Sequence, residues 1–409
     1  MNGKKHILMI GGGLQEVEAV RQLKAAGWTV GVSDRDSDCP CANIADYVLE
    51  ADGRDPERIL QELLIRTPDN LPRVVFTLTE LTTTVAILLH ALKLPAPSIL
   101  SVVVSQSKAL SKDCWLRKGV RTPNGVVVSD AQGLASIPTR SAPPYVIKPD
   151  VSSGGRGVVL VKSADKLSEA VRNAIDCSAN SRCVVEEYIH GTIHDGNAYF
   201  SNGIFVPLSI SDRFTGDSIA VESGAICPSC LPPNKQKDFF FLFEESCRAL
   251  GIEQGPVKID ALYDGKNFYV LEVAARLHGP RGSLYLIPAS FGISLCVPVF
   301  DAIQSNSMDI EWDATRVKQF CVYEDIRIAE RGVIISIEGI EIAKHEEGIV
   351  DIQLLKNIGD EIRTPHDSNE VTGFIFAVGS NEIECRKRIK TAHDVLHIRL
   401  VNRPHTELN

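Results

Sequence analysis

The chain predicts an α/β protein of several domains, and three observations carry that prediction. The N-terminus reads as strand, glycine turn, helix and second strand. The middle alternates short apolar strands with Ser/Gly-rich and acidic stretches, and the tail is a series of strand patterns before one closing helix. At 409 residues, 44% hydrophobic and 23% charged, the composition is that of an ordinary globular protein, and the length suggests about two to four domains.

The first element is the strand His6–Ile10, followed by the turn Gly11-Gly12-Gly13 and a helix from Gln15 to Ala26. Gly27 ends that helix before a second strand, Thr29–Val32, which closes in Asp34. This is a Rossmann-like half. The dinucleotide fingerprint G-x-G-x-x-G fails at its sixth position, where Glu16 would repel a pyrophosphate at the helix N-terminus. The strand Val74–Thr77 leads to Glu80 and a helix through Ala91. Glu80 is thereby expected at the carboxyl end of a parallel strand, where open α/β sheets collect ligands, or as a capping carboxylate.

Next comes a helical block, Gln106–Gly119, with Lys108 and Lys112 four residues apart on one face. Tyr145-Val-Ile-Lys148-Pro149 is a strand ending in a lysine. Val151-Ser-Ser153-Gly154-Gly155-Arg-Gly157 then leads into another strand. A Ser/Gly-rich loop between strands offers backbone N–H groups to phosphate oxygens, with Lys148 as a point charge. It is not a Walker loop, which runs into a helix. Cys183–Tyr188 is a strand ending in Glu186-Glu187-Tyr188-Ile189, whose acids suit an adenine amino group or a ribose.

Val257 to Gly279 reads as a β-hairpin turning at Asp264-Gly265-Lys266-Asn267. A three-residue loop sets Asp260 opposite Glu272, whereas a two-residue loop sets Asp260 opposite Leu271, and the residues leave the choice open. Two opposed carboxylates are tolerated only around something cationic, for which a hard divalent ion such as Mg2+ is suited. Lys258, Ala274 and Arg276 fall on that chemical face. Ile259, Ala261, Tyr263, Tyr269, Leu271 and Val273 fall on the core face.

The net charge of −9 argues against a general nucleic-acid or anionic-membrane surface and favours small-molecule partners. Eleven cysteines at scattered core-like positions read as reduced thiols in a cytoplasmic protein. Cys227-Pro-Ser-Cys230 lacks the spacing of a four-ligand zinc site. No stretch reads as a signal peptide or a membrane span.

Taken in order, the lysine helix, the strand with Lys148, the Gly-rich flap, Glu186-Glu187 and the hairpin with Asp260 and Glu272-x-x-x-Arg276 resemble the ATP-grasp superfamily from about residue 105 to 300. Within it the chain looks most like carboxylate–amine ligases that join amino acids, including L-amino-acid ligases and carnosine synthases, and is more distantly similar to biotin carboxylase. Glu222-Ser-Gly-Ala225 through Leu231-Pro232 is similar to an E-[ST]-G-H…P-x-x-L-P segment of the amino-acid ligases. The tail, with Gly332-Val-Ile, Gly348-Ile-Val and Thr372 to Gly379, resembles their small β-rich domain. The resemblance implies a Rossmann-like pre-ATP-grasp domain at 1–105, an ATP-grasp fold of two α+β lobes at 106–310 with its flap lobe at about 118–190, and a C-terminal β-rich domain at 311–409.

The resemblance also implies roles. Lys108 and Lys148 would hold ATP phosphates, and the flap with Ser153, Gly154, Gly155 and Gly157 would close over them. Glu186, with Glu187 and Ile189, would read adenine. His194 stands beside Ile193, where the family's ribose-binding acid is absent, and is the expected substitute. Asp260 and Glu272 would bind Mg2+ or Mn2+, and Arg276 would stabilise charge on the transferred phosphoryl group. Glu80, Glu222, His278 and Arg281 would contact substrate. The implied reaction is ATP-dependent amide or peptide bond formation through an acyl phosphate, releasing ADP and phosphate, from an amino acid or other small carboxylic acid.

The chain departs from the family pattern at Ala274, where an asparagine oxygen is usual, and at Ala225, where the amino-acid ligases carry a histidine. A biotin-carboxylase-like carboxyphosphate enzyme and a non-catalytic ATP-binding protein therefore remain as alternatives. A homodimer is compatible with the resemblance.

Overall fold

The computed structural model describes residues 5–129, 143–216, 219, 222–305, 307, 310–313, 315–328, 330–363 and 371–401. In chain order its strands are β1 (His6–Ile10), β2 (Thr29–Asp34), β3 (Tyr47–Glu50), β4 (Val74–Phe76), β5 (Gly125–Val128), β6 (Tyr145–Pro149), β7 (Val159–Val161), β8 (Cys183–Glu187), β9 (Thr192–Ser201), β10 (Ile204–Thr215), β11 (Glu222–Cys227), β12 (Gly255–Tyr263), β13 (Phe268–Ala274), β14 (Phe320–Asp325), β15 (Gly332–Glu338), β16 (Ile349–Leu354), β17 (Glu361–Ile362), β18 (Gly373–Gly379) and β19 (His397–Val401). The chain divides into two compact units. One comprises Met1–Pro123, Gly191–Ile210 and Leu231–Arg316; the other comprises Asn124–His190, Ser211–Cys230 and Val317–Asn409.

The first unit opens with a parallel sheet in the order β3-β2-β1-β4, connected by the helices Val17–Ala25 and Pro56–Arg66. β1 is buried along its whole length, as expected of a strand covered on both faces. The Asp55 side chain accepts from Arg58 N, and Pro56 takes the first helical position, so the second of these helices starts where its unpaired N–H groups are satisfied. The helix Lys108–Lys118 is capped by the Ser107 side chain, which accepts from Leu110 N, and stops at Gly119 with φ +74°. The glycine turn after β1 is closed by the chain itself: Gly12 N donates to Asp34 Oδ2 at 2.9 Å.

β12 pairs antiparallel with β13 on one side and β9 on the other. One face of these strands packs on the helix Pro233–Ala249, with Phe239 and Phe243 against Ile259, Ala261, Phe268, Val270 and Val273. The ladder begins at Tyr263↔Phe268 and reaches Asp260↔Glu272 through an irregularity between Asp260 and Ala261. The loop thus holds four residues, where the sequence left three and two open, and taken alone it would set Asp260 opposite Leu271. Leu271 is bulged out of the ladder, and this extra residue restores the pairing of the two acids. The bulge also reverses the facing of the turn half of β13. Phe268 and Val270 enter the core, and the expectation for Tyr269 and Leu271 is corrected accordingly.

The second unit contains the antiparallel sheet β5-β8-β6-β7 and the order β11-β14-β18-β16, with Asp212–Thr215 of β10 paired to β11. It also has the three-stranded sheet β17-β15-β19. The closing helix Glu382–Val395 starts at Asn381, whose side chain accepts from Glu384 N. That helix buries Cys385, Ile389 and Ala392 with Val322 and Ile375. Among the described residues no single helix is long and apolar enough to cross a membrane.

Candidate active site

Opposed residues in an antiparallel ladder share a face, so the pairings of β13, β12 and β9 define two neighbouring rows. One row is Glu272, Asp260 and Asp195; the other is Ala274, Lys258 and Asn197. Three carboxylates stand side by side across three strands, with Asp195 buried and Asp260 nearly so. Such a row requires compensating positive charge.

Lysines supply much of it. Lys258 Nζ lies 2.9 Å from Asp260 Oδ1 and 3.0 Å from Glu272 Oε1. Lys108, from the capped helix, places Nζ 3.8 Å from Glu272 Oε2. Burial works against the Lys258 charge, but the carboxylates of Asp260 and Glu272 outweigh it and hold this ammonium above the ordinary lysine range. Burial would push the Glu272 carboxyl up, yet the charges of Lys258 and Lys108 bring it down to about 2. Ligand atoms of Asp195, Asp260 and His278 lie within 4.8 Å of one another, with His278 Nε2 3.7 Å from Asp195 Oδ2.

Arg276, just past β13, is buried. Its Nη2 donates to Glu80 Oε1 at 2.6 Å and its Nη1 to Leu277 O at 2.9 Å. Arg276 Nε is buried without a hydrogen-bond partner among the described residues. Glu80 follows β4 and its side chain is half exposed. Lys112 is buried instead of sharing the role of Lys108: it donates to Thr122 Oγ1 at 3.2 Å and to Pro123 O at 2.5 Å.

His194 is buried, with Nε2 2.7 Å from Thr192 Oγ1 and its ring edge-on to Tyr263 and Phe268. His278 N donates to Asn197 Oδ1 at 2.8 Å, and Arg281 begins the short helix Arg281–Leu286.

In the second unit, Lys148 on β6 and Glu186 on β8 form an ion pair of 2.6 Å between largely buried side chains. The Glu187 carboxylate accepts from Asn124 N and Nδ2, both at 2.8 Å, which ties β8 to the start of β5. Ile189 follows β8 outside any strand. Between β6 and β7 the flap is a chain of tight turns. Gly154, Gly155 and Gly157 have φ of +66°, +78° and +76°, and Val158 N donates to Gly155 O. A Cβ at Gly157 would lie 2.7 Å from Pro149 Cγ, so that position requires glycine sterically as well as conformationally. Ser153 O accepts from Arg156 N at 3.3 Å. Glu222 bonds to the Tyr323 hydroxyl on the neighbouring strand. Cys227 is buried and Cys230 exposed.

The structure thus groups Glu80, Lys108, Asp260, Glu272, Arg276 and His278 in the first unit, and pairs Lys148 with Glu186 in the second. Sequence reasoning missed Asp195 and Asn197, and it saw Lys258 only as a face residue. The available signal was two polar side chains at i, i+2 in an otherwise core-like strand.

The chain resembles known proteins over most of its length. Residues 107–280 match the family described as ATP-grasp domain, and residues 326–401 match L-amino acid ligase C-terminal domain 2. The chain is 25% identical over 347 residues to 3-methyl-D-ornithine--L-lysine ligase of Methanosarcina barkeri, covering 81% of this chain and 82% of that protein. It is 24% identical over 237 residues to D-alanine--D-alanine ligase of Rickettsia typhi, covering 54% and 70%. The L-amino acid ligase structure from Bacillus licheniformis superposes with a TM-score of 0.82 at 21% identity, covering 98% of this chain and 100% of that one, and shows the shared fold. The chain thus contains an ATP-grasp domain at 107–280, followed by an L-amino acid ligase C-terminal domain 2 at 326–401.

Proposed function

We propose that this ATP-grasp ligase activates a small carboxylic acid, in the first instance an amino acid, and joins it to an amine. The observation that carries this is the row Glu272, Asp260 and Asp195 beside the buried Arg276, inside the ATP-grasp domain. The amino-acid ligase match of the tail supports an amino acid as one substrate.

The donor set fits a hard divalent ion: Asp260 and Glu272 face each other and offer oxygen ligands only. Mg2+ or Mn2+ bound there would neutralise phosphate oxygens of ATP. The chain's own residues do the positioning. Arg276 presents a planar array of donors, with Nε unpaired among the described residues, suited to the developing charge of a transferred phosphoryl group. In the first unit Lys108 binds phosphate, and in the second Lys148 binds phosphate under the Ser153–Gly157 flap. Glu186, Glu187 and Ile189 read the adenine, and His194 the ribose. Glu80 accepts from a substrate ammonium, while Glu222, His278 and Arg281 orient the remainder of the substrates.

The substrate carboxylate attacks the γ-phosphorus as its bond to the β,γ-bridging oxygen breaks, giving an acyl phosphate and ADP. The amine nitrogen then attacks the carbonyl carbon; phosphate leaves and nitrogen loses a proton. Phosphorylation provides a leaving group that a bare carboxylate lacks, and positioning with charge stabilisation provides the rate. We keep the domain boundaries 1–105, 106–310 and 311–409 as part of this reading, with small-molecule partners, a cytoplasmic setting and a homodimer as its assembly.

The test is coupled ADP and phosphate release with ATP and Mg2+ against pooled amino acids and other small carboxylates, with mass spectrometry of the products. The expected result is ADP release that depends on two substrates and a product lighter by one water than their sum. ADP without a condensed product would redirect the reading to carboxyphosphate chemistry.

Two variants probe the assignments. Lys148→Ala is expected to lower kcat/KM for ATP by about ten- to a hundredfold, because a charge-assisted hydrogen bond contributes about 1.5–3 kcal/mol; near-wild-type kinetics would remove Lys148 from the nucleotide site. Ala274→Asn adds an oxygen donor beside the acid row. It is expected to shift the Mn2+ titration of turnover about tenfold lower, and an unchanged titration would place residue 274 out of reach of the metal.

A further inference from the structure

We propose that Lys258 is an internal counterion that holds the metal-binding carboxylates in their metal-free state and must leave them before a divalent cation can bind. Metal capture by this chain is then a competition between an ammonium group and the ion. The inference rests on the reading that Asp260 and Glu272 hold the metal.

The geometry is specific. Lys258 lies on the middle of the three strands, one residue row away from the acids, and its nearly buried side chain reaches across to one oxygen of each. Contacts of 2.9 and 3.0 Å put Nζ between the two carboxylates that would hold a hard cation. A divalent ion needs those oxygens at about 2.0–2.6 Å, and an ammonium in the same place would repel it. With a neutral residue at 258, two opposed acids, one of them nearly buried, would stand together with less compensation, at an electrostatic cost. Lysine suits a reversible role, since its compact charge rides on a flexible four-carbon stem.

On the β13 side the residue directly opposite Lys258 is Ala274, so there only a methyl group neighbours the stem, while Asn197 faces it from β9. The lysine and the small residue facing it are one arrangement, which gives Ala274 a physical explanation: space for Lys258. Lys108, 3.8 Å from the other Glu272 oxygen, approaches from a separate helix.

The test is Mn2+ binding to the full chain without nucleotide, followed by electron paramagnetic resonance of the free ion, for wild type, K258M, K258Q, K258R and the double variant D260N/E272Q. K258M and K258Q are expected to bind Mn2+ at least about tenfold more tightly than wild type, because a competing charge is removed. K258R, which keeps the charge, is expected to bind no more tightly than wild type. The proposal is overturned if K258M and K258Q bind no more tightly than wild type while D260N/E272Q loses the ion. If D260N/E272Q binds Mn2+ like wild type, the metal assignment itself fails and the proposal falls with it. K258Q keeps an N–H donor for one carboxylate and is read where K258M does not fold. Should neither fold without metal, recovery of native tryptophan fluorescence on adding Mn2+ supports the proposal and failure to recover overturns it.

Discussion

Glu272→Gln is expected to lower ATP-dependent product formation by about a thousandfold, of the order seen when a group stabilising transition-state charge is removed. The substitution keeps the size of the side chain and removes its charge. It deletes an anionic oxygen donor from the acid row and a partner of both Lys108 and Lys258. Lys258 keeps Asp260 as a partner at 2.9 Å, so the hairpin is expected to remain folded. Steady-state ADP release alongside a thermal melt separates these effects, and turnover above a tenth of wild type would remove Glu272 from the site. A pH dependence accompanies the change. With the Glu272 carboxyl lowered from 4.5 to about 2, its contribution to stability is fully present above the unfolded-state value and is lost as pH falls from about 4.5 through about 2. E272Q lacks that component, so its acid unfolding profile is expected to be flatter across this window.

Phe239→Ala is expected to destabilise the first unit by about 3–5 kcal/mol. Phe239 is fully buried; its ring meets Phe268 at 5.6 Å and Phe240 at 5.7 Å between centroids, both edge-on. The ring lies on the opposite face of the strands that carry the acid row. A Cβ at Gly196 would come within 2.6 Å of it, so β9 has a glycine between Asp195 and Asn197 to admit the aromatic. The three tryptophans, Trp28, Trp115 and Trp312, all belong to the first unit, and Trp115 shares the Phe239 core. Urea unfolding followed by tryptophan fluorescence therefore reads this unit, and a midpoint unchanged from wild type would contradict the packing. Phe239→Leu, which retains most of the buried volume, is expected to cost less than half as much.

The course of the chain was legible because it depends on local patterns. The glycine turn after His6–Ile10, the helix from Lys108 to Gly119, the flap after Lys148 and the closing helix are short-range signals of periodicity and capping, and the structure has each of them. The pairing of Asp260 with Glu272 was one of two registers the sequence left open, and it rested on a three-residue loop. The loop has four residues, and a bulge at Leu271 restores the pairing. A bulge is decided by what both faces of the strand can bury, and no pattern in β13 alone specifies it. The same limit applies to Lys112, which shares a helical face with Lys108 yet is buried against Thr122 and Pro123.

By itself the sequence determined the order of elements, the glycine positions that a tight turn or close approach demands, and the acids, lysines and arginine available for phosphoryl chemistry, because these follow from local backbone preference and side-chain type. Only the tertiary structure decided that Asp195 joins the acid row, that Arg276 meets Glu80, and that Lys258 stands between Asp260 and Glu272. Those are contacts between strands and loops distant in sequence. They are set by ladder register and by the core packing beneath it, where charge compensation among buried groups selects one arrangement.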